Sequence, residues 1–193
     1  MPRKKEFDVE EALRAVMEVF WRSGFDGTSI EDLTEATGVK RQSLYNALGE
    51  KRDMFIKALR KYEAEEGDNA LAHVESQETG RGAIEYLFTA LVENCSKDES
   101  RRGCFVVNTA LEACHDEETQ SVVGNAITAF ESFFKRNLRR GQKEGDIPST
   151  VDANTAASGL LATYIGIRVV ARTDEGEKLI KKMAKHALRS LDA

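Results

Sequence analysis

The sequence predicts an all-helical protein, with a small N-terminal helix-turn-helix unit and a larger C-terminal helical unit. Three observations carry that expectation. Apolar residues recur at three- and four-residue intervals along nearly the whole 193-residue chain. No alternating strand pattern of useful length and no internal repeat interrupts them. Pro2 and Pro148 are the only prolines, so little in the interior would break a helix.

Val9, Leu13, Val16, Met17 and Phe20 mark one face of a first helix, and Gly24 supplies its stop. Thr28-Ser29-Ile30-Glu31 has the form of a capping box, with Thr28 accepting at the start of a second helix and Glu31 reaching back. That helix runs through Leu33 and Ala36 to Gly38, a residue tolerant of left-handed backbone angles. A third short helix is expected from about Lys40 to Leu48. Phe55, Ala58, Leu59 and Tyr62 then mark the apolar side of a longer fourth. Beyond residue 78, stripes beginning at Ile84, Val107, Val123, Ala157 and Ile180 predict about five more helices. The division expected is residues 1–50 for the helix-turn-helix unit and 51–193 for the rest.

With 41% hydrophobic and 32% charged residues, the chain has an ordinary globular composition. Met1 to Lys5 is basic, but Glu6, Asp8, Glu10 and Glu11 follow where an export signal needs an apolar stretch. The nearly apolar run from Gly159 to Ile167 is far short of the roughly 20 residues a spanning helix requires. A cytoplasmic protein without a membrane partner is expected. Cys95, Cys104 and Cys114 are odd in number and too few for a disulfide framework. Cys104, Cys114 and His115 lack compact ligand spacing, so neither a metal nor another cofactor is expected. His73 and His186 read as surface residues. No clustered Ser/His/Asp set, phosphate-binding glycine loop or HExxH sequence appears, which argues against an enzyme.

The net charge of −5 is unevenly spread. Residues 1–60 hold 11 Lys/Arg against 11 Asp/Glu, whereas residues 61–120 hold 5 against 14. The acidic balance therefore belongs to the middle of the chain, and local basic clusters at Arg3-Lys4-Lys5 and Lys40-Arg41 decide whether nucleic acid can bind. Residues 25–54 contain two short helices around a glycine turn, with a basic start to the second. Packing Ile30, Leu33, Val39, Leu44 and Leu48 inward leaves Lys40, Arg41, Gln42, Ser43, Tyr45 and Asn46 outside. Each can donate to phosphate or base edges of double-stranded DNA. The same helix pair could instead dock on a protein, so an interaction module remains a remote alternative.

Gly24-Phe25, Thr28-Ser29-Ile30, Gly38-Val39, Ser43-Leu44-Tyr45 and Lys51 together resemble the DNA-binding signature of the TetR/AcrR family of bacterial regulators. Gly103 to Asn108 with Ala110-Leu111-Glu112, and Gly141-Gln142 before Gly145, resemble a branch of that family's variable C-terminal domain. Leu48 departs from the pattern, since many members have an aromatic residue there. Gln42 departs where small residues are common, and a glutamine can pair with adenine. The resemblance implies phosphate contacts for Thr28 and Ser29 and a backbone contact for Lys51. It places Lys40, Gln42, Ser43, Tyr45 and Asn46 in or beside the major groove, with Arg3 to Lys5 as an arm adding salt-dependent affinity.

The resemblance also implies a ligand cavity in the C-terminal core. Tyr86, Phe88, Phe105, Phe130, Phe134 and Tyr164 are core residues on any reading and the candidates for its lining. Asn108 and Arg168, polar within helical stretches, are candidates for contacting a small-molecule inducer. Arg168 could equally form an ion pair at a dimer interface. Cys104 reads either as a small buried hydrophobe or as a redox- or electrophile-sensing thiol, with Arg101 and Arg102 beside it in sequence. Ala156, Ala157, Gly159 and Ala162, then Ala184 and Ala187, make the last two helices rich in small residues that permit close approach. A homodimer reading a palindromic operator is expected.

Overall fold

A computed structural model describes residues 7–68, 71, 74–75, 79–97, 100–112, 116–173 and 176–192. The N-terminal head comprises α1 (Val9–Ser23), α2 (Ile30–Thr37), α3 (Arg41–Leu48) and α4 (Lys51–Tyr62), and a π-helical turn, Glu63–Asp68, continues α4. The C-terminal bundle comprises α5 (Gly80–Lys97), α6 (Phe105–Glu112), α7 (Glu117–Glu144), α8 (Ala153–Val170) and α9 (Gly176–Arg189). Among the described residues there is no strand, and no helix is long and apolar enough to cross a membrane. The basic arm Arg3–Lys5, together with His73, Cys114 and His115, lies outside the described residues.

Local chemistry sets the helix ends. Asp8 caps α1 by accepting from the amides of Glu10 and Glu11, which also place negative charge at the positive end of the helix. The box before α2 sits one residue later than the sequence pattern suggests. Ser29, not Thr28, is the cap, and its partner is Asp32, not Glu31. The reason is the end of α1: the Thr28 hydroxyl donates to the Gly24 carbonyl at 2.7 Å, leaving Ser29 in the extended conformation that a cap requires. Glu31, released from that role, pairs with Arg41 at 3.3 Å. Gly38 adopts φ 66°, ψ 9°, as the turn between α2 and α3 demands.

Among the described residues, two hydrophobic clusters form the interior. One, in the bundle, joins α5, α7, α8 and α9 around Phe88, Phe133, Phe134, Leu138 and Ile167, all essentially fully buried. α7 is its central strut, 28 residues and about 42 Å long. α5 starts against it so closely that a Cβ on Gly80 would lie 2.3 Å from the Asn137 carbonyl. The other cluster is the head's. It gathers α1 to α4 and continues into Phe105, Val106, Val122, Val123 and Ala126 of α6 and α7.

Candidate functional site

α3 presents its polar edge because its apolar edge is committed. Leu44 and Leu48 are buried against α1 and α4, and Val39 just before the helix is 8% exposed. Lys40, Arg41, Gln42 and Asn46 are exposed, while Ser43 and Tyr45 are half-buried. Along this edge the side chains are paired at helical spacing. Arg41 donates to the Tyr45 hydroxyl at 3.1 Å and lies over its ring, and Gln42 donates to Asn46 at 3.1 Å. Such bonds pre-arrange flat donors and acceptors in the row a groove would meet, and they exchange readily for base edges because they are solvent-exposed.

Around this row, Ser29 is exposed at the start of α2, whereas Thr28 is 2% exposed and spends its hydroxyl on Gly24. Lys51 begins α4 with its ammonium 4.4 Å from the centre of the Phe25 ring. Lys57, which no sequence motif singles out, donates to the Leu48 carbonyl at 2.7 Å and closes the end of α3. The nine candidate nucleic-acid residues thus fall on one end of the head, with Thr28 beneath the surface rather than on it.

A cavity of about 170 Å³ lies in the bundle, walled by the end of α4, α6, α7 and α8. Tyr62, Cys104, Val106, Val107, Ala110, Ala126, Phe130, Leu161, Tyr164, Ile165 and Arg168 line it, Glu63 and Gly67 contribute from the π-helical turn, and Leu111, Ile127 and Val169 rim its opening. Four of the sequence candidates meet here: Cys104, Phe130, Tyr164 and Arg168. The others do not line it. Phe88 and Phe134 are fully buried behind it, Phe105 belongs to the head cluster, and Tyr86 is 41% exposed on α5. Asn108 is buried with both ends of its amide engaged, donating to the Arg102 carbonyl and accepting from Arg172, each at 2.8 Å.

The polar atoms of the cavity gather at one place. Arg168 donates to the Tyr164 hydroxyl at 3.1 Å, and Tyr62 and Cys104 lie close enough to bear on its charge. Burial pushes the Tyr62 and Tyr164 phenols above their ordinary range, so both stay neutral hydroxyls. Among the described residues no group of His, Cys, Asp and Glu is arranged to hold a metal.

The same corner is fastened to the head. Trp21 of α1 donates to the Gly103 carbonyl at 3.2 Å and packs edge-on against Tyr62 at 4.8 Å between ring centres. Arg102 lies over the Trp21 ring and pairs with Glu18. Phe55 of α4 meets Phe105 of α6 edge-on at 5.5 Å. At the start of α7, Arg52 pairs with Asp116 at 2.6 Å and Arg60 with Glu118 at 3.0 Å. Periodicity marks Tyr62 only as the apolar side of a helix, and Trp21 bears no motif. The one available signal for either was an aromatic residue at a helix end nearest the junction.

Comparison with known proteins agrees with this layout. Residues 12–58 match the model described as bacterial regulatory proteins, tetR family, and residues 80–187 match that of the tetracyclin repressor-like C-terminal domain. An uncharacterized HTH-type transcriptional regulator of Bacillus subtilis, YezE, is 34% identical over 89% of this chain and 90% of its own length. The HTH-type transcriptional repressor ComR of Escherichia coli is 29% identical over 94% of this chain and 86% of its own. Among solved structures, a cysteine mutant of the TetR family regulator CifR, complexed with 26-bp double-strand operator DNA, superposes with a TM-score of 0.84 at 29% identity, covering 97% of this chain and 98% of that one. A helix-turn-helix head with a polar α3 edge, carried on a helical bundle and matched at both ends by these models, makes this chain a member of the TetR family of DNA-binding transcriptional regulators.

Proposed function

We propose that the chain is a cytoplasmic, homodimeric repressor that holds a palindromic operator and releases it when a small molecule occupies the C-terminal cavity. Residues 1–50 read DNA, and residues 51–193 bind ligand and partner subunit. The observation that carries this reading is the row of exposed Arg41, Gln42 and Asn46 with half-buried Tyr45, on a helix whose other side is locked into the head. In it, Gln42 and Asn46 read base edges, Tyr45 and Ser43 flank them, and Lys40, Arg41, Lys51 and Ser29 hold phosphates. Thr28, with its hydroxyl already used, acts by setting the start of α2. The dimer forms on α8 and α9, where Gly159, Ala162, Val169 and Leu179 leave a small and apolar surface exposed.

Release is a population shift. Ligand in the cavity favours an arrangement of Tyr62 and the 102–105 segment that moves α1 and α4, and with them the spacing of the two α3 helices. A clean switch needs about 10⁴-fold differential affinity between the two arrangements. Selecting random duplexes with the purified protein at two salt concentrations tests the reading. Enrichment of a palindrome supports it, and weak sequence-blind binding that vanishes with salt contradicts it and favours a protein partner.

A second reading rests on Cys104 standing in the cavity wall beside Tyr62 and Arg168. There the inducing event is oxidation or alkylation of the thiol. Operator release by an electrophile in wild type but not in Cys104→Ser favours it over simple occupancy.

A further inference from the structure

We infer that the ligand of the C-terminal cavity is a small carboxylate with an apolar body of about one aromatic ring, its carboxylate held by Arg168. This rests on the cavity being the ligand site. The walls are apolar and aromatic, with the Phe130 and Tyr164 rings tilted by 32° at 4.7 Å between centres. A cavity of about 150 Å³ holds one benzene ring, so about 170 Å³ suits a ring bearing a one-carbon head.

The head must be anionic because of what Arg168 lacks. Its guanidinium offers five donors and stays charged at any working pH. Among the described residues its one hydrogen bond is to the Tyr164 hydroxyl, and its Nε is shut off from solvent without an acceptor there. Among the described residues no carboxylate pairs with it. The neighbouring phenols are neutral hydroxyls, which solvate the charge without balancing it. A cation half-buried in an apolar wall, with its Nε sealed from solvent, is costly unless paired, and a carboxylate meets the planar fork with two parallel bonds. The guanidinium donates to the Tyr164 hydroxyl beside Tyr62 and Cys104, and Arg168 also borders the neighbouring cleft.

Calorimetric titration of the full chain with benzoate, and with benzyl alcohol as its neutral counterpart, tests this. Saturable benzoate binding, about tenfold or more tighter than benzyl alcohol, is expected from a charge-assisted pair. Arg168→Gln should reduce benzoate to the level of the alcohol while the alcohol is unaffected, and Arg168→Lys should restore part of the difference. If Arg168→Gln does not fold, Phe130→Trp fills the cavity with Arg168 intact and should abolish benzoate binding. Equal binding of acid and alcohol, no binding of either, or benzoate binding that survives these substitutions overturns the inference. Benzoate binding that survives Phe130→Trp would point to the neighbouring cleft, which Arg168 borders together with Lys97, Arg101 and Arg102. Arg168-dependent benzoate binding with operator affinity unchanged would sustain the carboxylate site and count against release by cavity occupancy.

Discussion

The head and the bundle are both helical, but their cores end differently. The bundle core closes on itself: α5, α7, α8 and α9 bury Phe88, Phe133, Phe134 and Leu138 with no contribution from the first four helices. The head core does not close. Its aromatic chain runs from Phe20 through Phe55 to Phe105 and on to Tyr62, so that α6 supplies part of the packing beneath α1 and α4. A small domain buries a smaller share of its surface than a large one and is correspondingly marginal alone. Borrowing α6 stabilises the head, and it also makes the position of the head depend on α6, which forms one wall of the cavity.

Substitutions on either side of this difference sharpen it, beginning with the largest effect. Phe55→Ala removes the ring shared by head and bundle and should cost about 3–5 kcal/mol, seen in chemical denaturation. Because the two cores meet there, the transition should broaden or split, whereas Leu138→Ala within the closed bundle core should lower stability by about 2–5 kcal/mol. Gly80→Ala forces a methyl against the α7 backbone and should cost about 1–3 kcal/mol. Its effect on DNA affinity at temperatures well below melting should be nil, since the head does not touch that crossing.

Gln42→Ala should leave the melting temperature unchanged and reduce discrimination at one base pair by about 1–3 kcal/mol, read by competition between single-base variants of the selected duplex. Trp21→Phe loses the bond to the Gly103 carbonyl, worth about 1 kcal/mol of stability, and should weaken the response of DNA affinity to cavity ligand more than DNA affinity itself.

Acid provides the smallest effect. Hydrogen bonds from Thr119, with Arg52 alongside, hold the Asp116 carboxyl at about 2, below its ordinary 3.8. A carboxyl lowered in the folded state adds stability that is fully present above its unfolded value and is lost as pH falls through the folded one. The junction between α4 and α7 should therefore loosen between about pH 4 and pH 2, and Asp116→Asn should flatten that dependence by at most about 1 kcal/mol.

The head was the more legible half because its determinants are local. Gly38, the Ser43-Leu44-Tyr45 run and the stripe from Val9 to Phe20 each specify conformation within one or two turns. The capping box shows the limit: Thr28-x-x-Glu31 and Ser29-x-x-Asp32 both satisfy the pattern, and only the Gly24 carbonyl, claimed by Thr28, separates them. The cavity was less legible because its wall joins residues from 62 to 169. Helical period tells buried from exposed, so it finds Phe88, Phe134 and Phe130 alike. It does not tell a filled interior from a hollow one. Arg168 stood out only because a charge in an apolar helix needs a reason, and Asn108 stood out the same way although its amide is spent on Arg102 and Arg172.

Hydrogen exchange of the full-length protein, free and bound to its selected duplex, tests the continuity of head and bundle most directly. If the two share one core, DNA should slow exchange in α4 and in residues 105–112 as well as in α2 and α3. Slowing confined to α1 to α3, with α4 and α6 unchanged, would contradict it.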